Sequence, residues 1–104
     1  MIKVAVVEDN ALLRNSLINL FDKTGEIQCV AALNNLMNVV SDIGHALPDI
    51  ILMDIGLPKI FVIEGVRTVK ANVPGILIMM FTEFDAEENI FDAIKLVASG
   101  YLTT

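Results

Sequence analysis

Two short runs set the terms for this chain. Val4, Ala5, Val6 and Val7 form an unbroken apolar stretch that breaks into Glu8 and Asp9, and "IILMD" repeats the construction, closing on Asp54. A strand with one face in water alternates apolar and polar residues. A run that is apolar at every position reads instead as a strand covered on both faces, the condition of a parallel sheet between helical layers. "IQCVAAL" and the stretch from Ile76 to Phe81 in "PGILIMMFT" read the same way, and "GYLTT" reads as a fifth strand.

Between these runs the period changes. In "ALLRNSLINLFDKTGE", Leu13, Leu17, Leu20 and Phe21 recur at helical spacing, with Asn10 or Asp9 as cap and Gly25 as stop. "NNLMNVVSDIGHA" predicts a second helix with Leu36, Val39, Val40 and Ile43 on one side, and Pro48 opens the third strand. "EGVRTVKANV" predicts a third helix, carrying Val66 and Val69, and "DAEENIFDAIKLVA" a fourth, capped by Asp85. Strands alternating with amphipathic helices imply an α/β fold with a parallel sheet, here one domain over residues 1–104 with no linker.

The composition narrows the function. Hydrophobic residues make up 55% of the chain and mean hydropathy is +0.67, rich for a soluble domain and suited to elements buried on both sides. The formal net charge of -6 repels phosphate backbones, so direct nucleic-acid binding is not expected. The single Cys29 excludes an intramolecular disulfide, which fits a reducing cytoplasm, and it reads as a small buried hydrophobe. No run approaches the ~18 apolar residues of a membrane span, and the strand pattern at the start leaves no signal-peptide pattern.

In a parallel sheet the functional groups gather at the carboxyl ends of the strands. There stand Glu8 and Asp9 after the first strand, Asp54 at the end of the third, and Thr82 and Glu83 after the fourth. Each has an ordinary reading: strand-end acids often cap helices, and a lone threonine often sits in a turn. Three carboxylates in one loop cluster need compensation, however, because like charges at close range are costly. A hard divalent cation with oxygen ligands supplies it, and Mg²⁺ suits a small open site that keeps waters. A cation beside a carboxylate and a hydroxyl points to phosphoryl chemistry.

At these motifs the chain resembles the CheY-like receiver domain of two-component response regulators. "VVEDN", "PDIILMDIGLP", "FTEFD" and "SGYL" carry the resemblance, which covers the whole chain. It implies a doubly wound, flavodoxin-like, five-stranded parallel sheet of order 2-1-3-4-5. It implies that Asp54 accepts phosphate from a histidine kinase, with Mg²⁺ held by Asp9, by Asp54, by the backbone carbonyl of Gly56 and, through water, by Glu8. Thr82 then matches the hydroxyl that contacts the phosphoryl group, Tyr101 the aromatic switch residue, and Pro58 the proline that shapes the loop after the acceptor. Phosphotransfer of this kind is at most self-catalysed, so the chain is not expected to be a conventional enzyme.

The departures from the pattern are specific. Thr104 stands where the family has a lysine, and Glu83 where a small or apolar residue is usual. Phe61 and Val62 replace small or flexible residues, and Leu96 and Val97 replace an Ala-Gly pair. The family's fifth helix has no counterpart after Thr104. These changes imply a truncated or engineered receiver with impaired signalling. The alternative is a receiver scaffold acting as a self-assembly module without phosphotransfer, expected as a homodimer through Tyr101, Leu102 and strand four, with Gly100–Leu102 as an available edge. A free-standing hydrolase built on the acids is weaker, because no His or Cys stands at a strand end and His45 falls at a helix end on the surface.

Overall fold

A computed structural model describes residues 1–54 and 57–81, the side chains of Lys59 and Phe61 excepted. In chain order the elements are β1 (Ile2–Val7), α1 (Ala11–Thr24), β2 (Ile27–Leu33), α2 (Val39–Ala46), β3 (Ile50–Asp54), α3 (Lys59–Asn72) and β4 (Leu77–Phe81). The four strands form one parallel sheet of order β2-β1-β3-β4. The expected α/β parallel architecture and this part of the strand order are therefore present. The strand at "GYLTT" and the helix at "DAEENIFDAIKLVA" lie outside the described residues, as does the self-association surface expected at Gly100–Leu102.

The apolar runs of β1 and β3 have the explanation their pattern demanded, whereas β2 and β4, read the same way from sequence, are only partly buried. Val4, Val6, Ile50 and Leu52 point to one face, where they pack with Leu17 and Phe21 of α1 and with Ile27 and Phe81. Ala5, Val7, Ile51 and Met53 point to the other, against Val39 and Ile43 of α2 and Val69 of α3. Alternate side chains of a strand leave opposite faces, so covering both faces removes the need for a polar alternate. The register matters for function: Val7 pairs with Met53 and Asp54 with Phe81, which brings Glu8 and Asp54 to the same edge of the sheet.

α1 has the expected limits. Asn10 is its N-cap, and its Oδ1 accepts from the backbone N–H groups of Leu12 (3.0 Å) and Leu13 (3.2 Å). Gly25 ends it at φ 69, a left-handed conformation that costs glycine no Cβ clash.

Three boundaries differ from the sequence reading. α2 starts at Val39, not within "NNLM", because Asn35 Oδ1 accepts from Met37 N–H at 2.9 Å. Such local bonds hold the backbone in a turn and compete with helix. α3 starts earlier than "EGVRTVKANV", directly after Pro58, whose carbonyl accepts from Val62 N–H at 3.1 Å. A proline with φ of -52 is preset for a helix entry, which outweighs the β-branched look of the residues that follow. β3 begins at Ile50, two positions after Pro48, which has no N–H to give a ladder.

Candidate metal and phosphoryl site

The site is built where β1 and β3 end side by side. Glu8 follows β1 and continues its pairing, donating its backbone N–H to the Leu33 carbonyl at 2.9 Å. That bond fixes the Glu8 side chain inside the edge of the sheet, where the residue is 1% exposed. Asp54, the last residue of β3, is 9% exposed, and Asp9 in the loop is exposed. Carboxylate oxygens of Glu8, Asp9 and Asp54 all lie within 4.8 Å of one another.

The capping arrangement separates the two readings of Asp9. An acid after a strand commonly caps the next helix, but here Asn10 takes that role with both hydrogen bonds of its Oδ1. Asp9 is thereby left to the acidic cluster.

Concentrated charge has a measurable electrostatic signature. Burial, followed by hydrogen bonding to Asp54 and Asp9 and by the nearby charge of Asp54, pushes the Glu8 carboxyl up from 4.5 to about 7. The backbone N–H of Asn10, donating to Glu8 Oε2 at 3.3 Å, opposes this only in part. A carboxyl raised first by burial and then by two neighbouring carboxyls is a candidate functional group. The donor set is hard oxygen, the chemistry of Mg²⁺ or Ca²⁺ and not of a soft metal. The residues present therefore fit the divalent cation that the resemblance implies.

Of the site residues expected from sequence, the structure brings together Glu8, Asp9 and Asp54. Pro58 lies at the start of α3, as its N-cap residue. Gly56, Thr82 and Tyr101 lie outside the described residues, as do Glu83, Leu96, Val97 and Thr104. Val62 is half-buried and packs against the α2 and α3 side of the core, so its added bulk is accommodated there.

Two residues were not singled out from sequence. Arg14 Nη1 donates to the Glu8 carbonyl at 2.7 Å, tying the first turn of α1 to the acidic loop. Leu57, 7% exposed, donates its N–H to the Asp54 carbonyl at 3.3 Å. Cys29 is half-buried beside the Ala31 carbonyl, and burial pushes its thiol up, consistent with an inert packing residue. His45 is exposed in the last turn of α2.

Comparison with known proteins supplies the remaining observations. The family model described as the response regulator receiver domain matches residues 4–103. The transcriptional regulatory protein LnrK of Bacillus subtilis is 30% identical over 102 residues, covering 98% of this chain and 46% of that protein. The DNA-binding transcriptional activator DevR/DosR of Mycobacterium tuberculosis is 28% identical, covering 98% of this chain and 47% of that protein. The chain thus spans about half the length of these curated relatives. Among solved structures, a LuxR-family two-component response regulator from Aurantimonas superposes with a TM-score of 0.84 at 18% identity, covering 94% of this chain and 85% of that one. At that identity the likeness speaks for the fold.

Proposed function

The chain belongs to the response regulator receiver domain family, and from that premise we propose that Asp54 is its phospho-acceptor, served by a histidine kinase and by Mg²⁺. The observation that carries this reading is the convergence of Glu8, Asp9 and Asp54 within 4.8 Å at one sheet edge. By the resemblance, Asp9, Asp54 and the Gly56 carbonyl would hold the cation, with Glu8 acting through water. When bound, the cation offsets the charge of the cluster and of the incoming phosphoryl group.

The transfer is a nucleophilic displacement at phosphorus. A carboxylate oxygen of Asp54 forms a bond to phosphorus as the bond from phosphorus to the kinase imidazole nitrogen breaks. The electron pair leaves with that nitrogen, which then takes a proton, and Asp54 becomes an acyl phosphate. By the resemblance, Thr82 would supply the hydroxyl that contacts the phosphoryl group and Tyr101 the aromatic switch that turns inward when that hydroxyl moves. Thr104, unlike a lysine, brings no cation to the product, and Glu83 adds negative charge nearby, so the acyl phosphate is less favoured than in a receiver with the usual pattern.

The chain serves as the phosphorylatable input part of a longer regulator, in the manner of relatives about twice its length. The acidic balance of these 104 residues, net -6, leaves any DNA contact to other segments. Among the described residues no helix is long and apolar enough to cross a membrane, and the place of action is the cytoplasm. The test is intact-protein mass after exposure to a small phosphodonor with Mg²⁺. Wild type gains one phosphoryl group, and the gain vanishes with chelator and in Asp54→Asn. Equal labelling of Asp54→Asn would rule the acceptor assignment out.

A further inference from the structure

α2 begins only at Val39, and the segment before it lines a cavity. Between residues 34–40 and the near face of α3 lies an open cavity of about 620 Å³. Small-molecule sites are commonly ~300–1,000 Å³ and largely apolar. Leu36, Val39, Val40 and Leu57 line this one. Gly65 of α3 lines it too, and a Cβ there would meet Leu36 Cδ1 at 2.8 Å, so the Leu36 side chain reaches onto bare α3 backbone.

Among the described residues the rim has one sign of charge. Asp9 and Glu64 line the cavity, and no lysine or arginine does so among the described residues. The neighbouring polar groups have local partners: Asn34 Oδ1 accepts from Asn35 Nδ2 at 2.9 Å, and the Thr68 hydroxyl donates to the Glu64 carbonyl at 2.7 Å. An apolar wall under an acidic rim complements a molecule with an apolar body and a positive head.

We propose that this cavity binds a small hydrophobic amine, its body against Leu36, Val40 and Leu57 and its ammonium group toward Asp9 and Glu64. An anion of the same shape is repelled by the rim, and a neutral analogue gains the apolar contact alone. Asp9 also belongs to the acidic cluster. In that clause the inference rests on the Mg²⁺ reading above: amine and Mg²⁺ weaken each other's binding by one common factor. The cavity is in this way a point at which a ligand can tune the metal site from outside it.

The probes are tryptamine, tryptophol and indoleacetate, which share a ring system and differ in the charge of the head. Each is titrated into the full chain without Mg²⁺ or phosphodonor, with amide and methyl shifts as the readout, so the outcome does not depend on phosphorylation. Shifts are expected at Leu36, Val39, Val40, Leu57, Gly65 and Thr68, with tryptamine binding up to about fivefold more tightly than tryptophol, as for solvent-accessible charge pairs, and indoleacetate weakest. Glu64→Gln, on an exposed side chain, brings tryptamine close to tryptophol without changing tryptophol. Thr68→Phe crowds the α3 wall of the cavity and weakens binding of all three, while Mg²⁺-induced shifts at Asp9 and Asp54 persist. Mg²⁺ weakens tryptamine and leaves tryptophol unchanged. Equal affinity for the three probes, shifts centred on the α1 face, or tryptamine binding indifferent to Glu64→Gln and to Mg²⁺ would each overturn the proposal.

Discussion

Glu8→Gln should make the metal-free protein more stable at neutral pH. In the fold, burial and the neighbouring carboxyls of Asp54 and Asp9 push the Glu8 carboxyl up from 4.5 to about 7. The fold therefore favours the protonated form. Its stabilising contribution is fully present below about 4.5 and is lost as the pH rises through about 7. At about 1.4 kcal/mol per pH unit, the loss is roughly 3 kcal/mol at most. Because Glu8 is 1% exposed, solvent screening reduces this little. Glutamine keeps the shape and the acceptor for Asn10 N–H but cannot ionise, so the variant does not suffer the loss. The assay is urea unfolding of wild type and Glu8→Gln in chelator from pH 4.5 to 8. The stability difference should be small at the acid end and grow to the order of 2–3 kcal/mol by pH 8, a midpoint shift on the order of 10 °C in a thermal scan. Added Mg²⁺ should narrow the gap, because it stabilises the wild-type cluster more. A difference that stays constant across this range would refute the raised Glu8 carboxyl.

Other outcomes follow from the same geometry. Asn10→Ala removes the acceptor for Leu12 and Leu13 N–H and should cost about 1 kcal/mol of stability, read by denaturant midpoint. Leu47 ends α2 at φ 52 and is 69% exposed, so Leu47→Gly relieves left-handed strain with little lost burial. It should raise stability by about 0.5–1 kcal/mol, and a loss on the same unfolding curve would show the conformation to be unstrained. Thr104→Lys with Glu83→Ala should raise acyl-phosphate yield from a small phosphodonor about tenfold or more, since a charge-assisted contact is worth ~1.5–3 kcal/mol. Unchanged yield would show that these two departures do not limit the reaction.

How far the sequence foretold the structure depended on whether the controlling interaction was written into a periodic pattern. The runs at Val4–Val7 and Ile50–Asp54 were legible because burial on both faces erases polar alternation, and their terminal acids marked the sheet edge where Glu8, Asp9 and Asp54 meet. α2 misled because Leu36, Val39, Val40 and Ile43 do keep a helical period, while Asn35 holds the backbone ahead of Val39 in a turn. α3 misled in the opposite sense: the β-branched Ile60, Val62 and Ile63 look unlike a helix start, yet Pro58 and the packing of Val62 and Val69 under the sheet set it there. The Arg14 contact left no local trace, since its partner is a backbone carbonyl six residues earlier that any residue would offer. The height of the Glu8 carboxyl was equally hidden, because its largest cause is burial and the next is Asp54, 46 positions away in sequence, with Asp9 adding to both.

The most direct test of the account is to locate the phosphoryl group. An acyl phosphate is reduced by borohydride to an alcohol with release of phosphate, which turns a modified aspartate into homoserine. After a small phosphodonor and Mg²⁺, then reduction and proteolysis, mass spectrometry of the peptide spanning β3 should show homoserine at position 54, and none when Mg²⁺ is chelated. Reduction product at Glu8 or Asp9 with Asp54 intact, or no product at any of the three, would contradict the central claim.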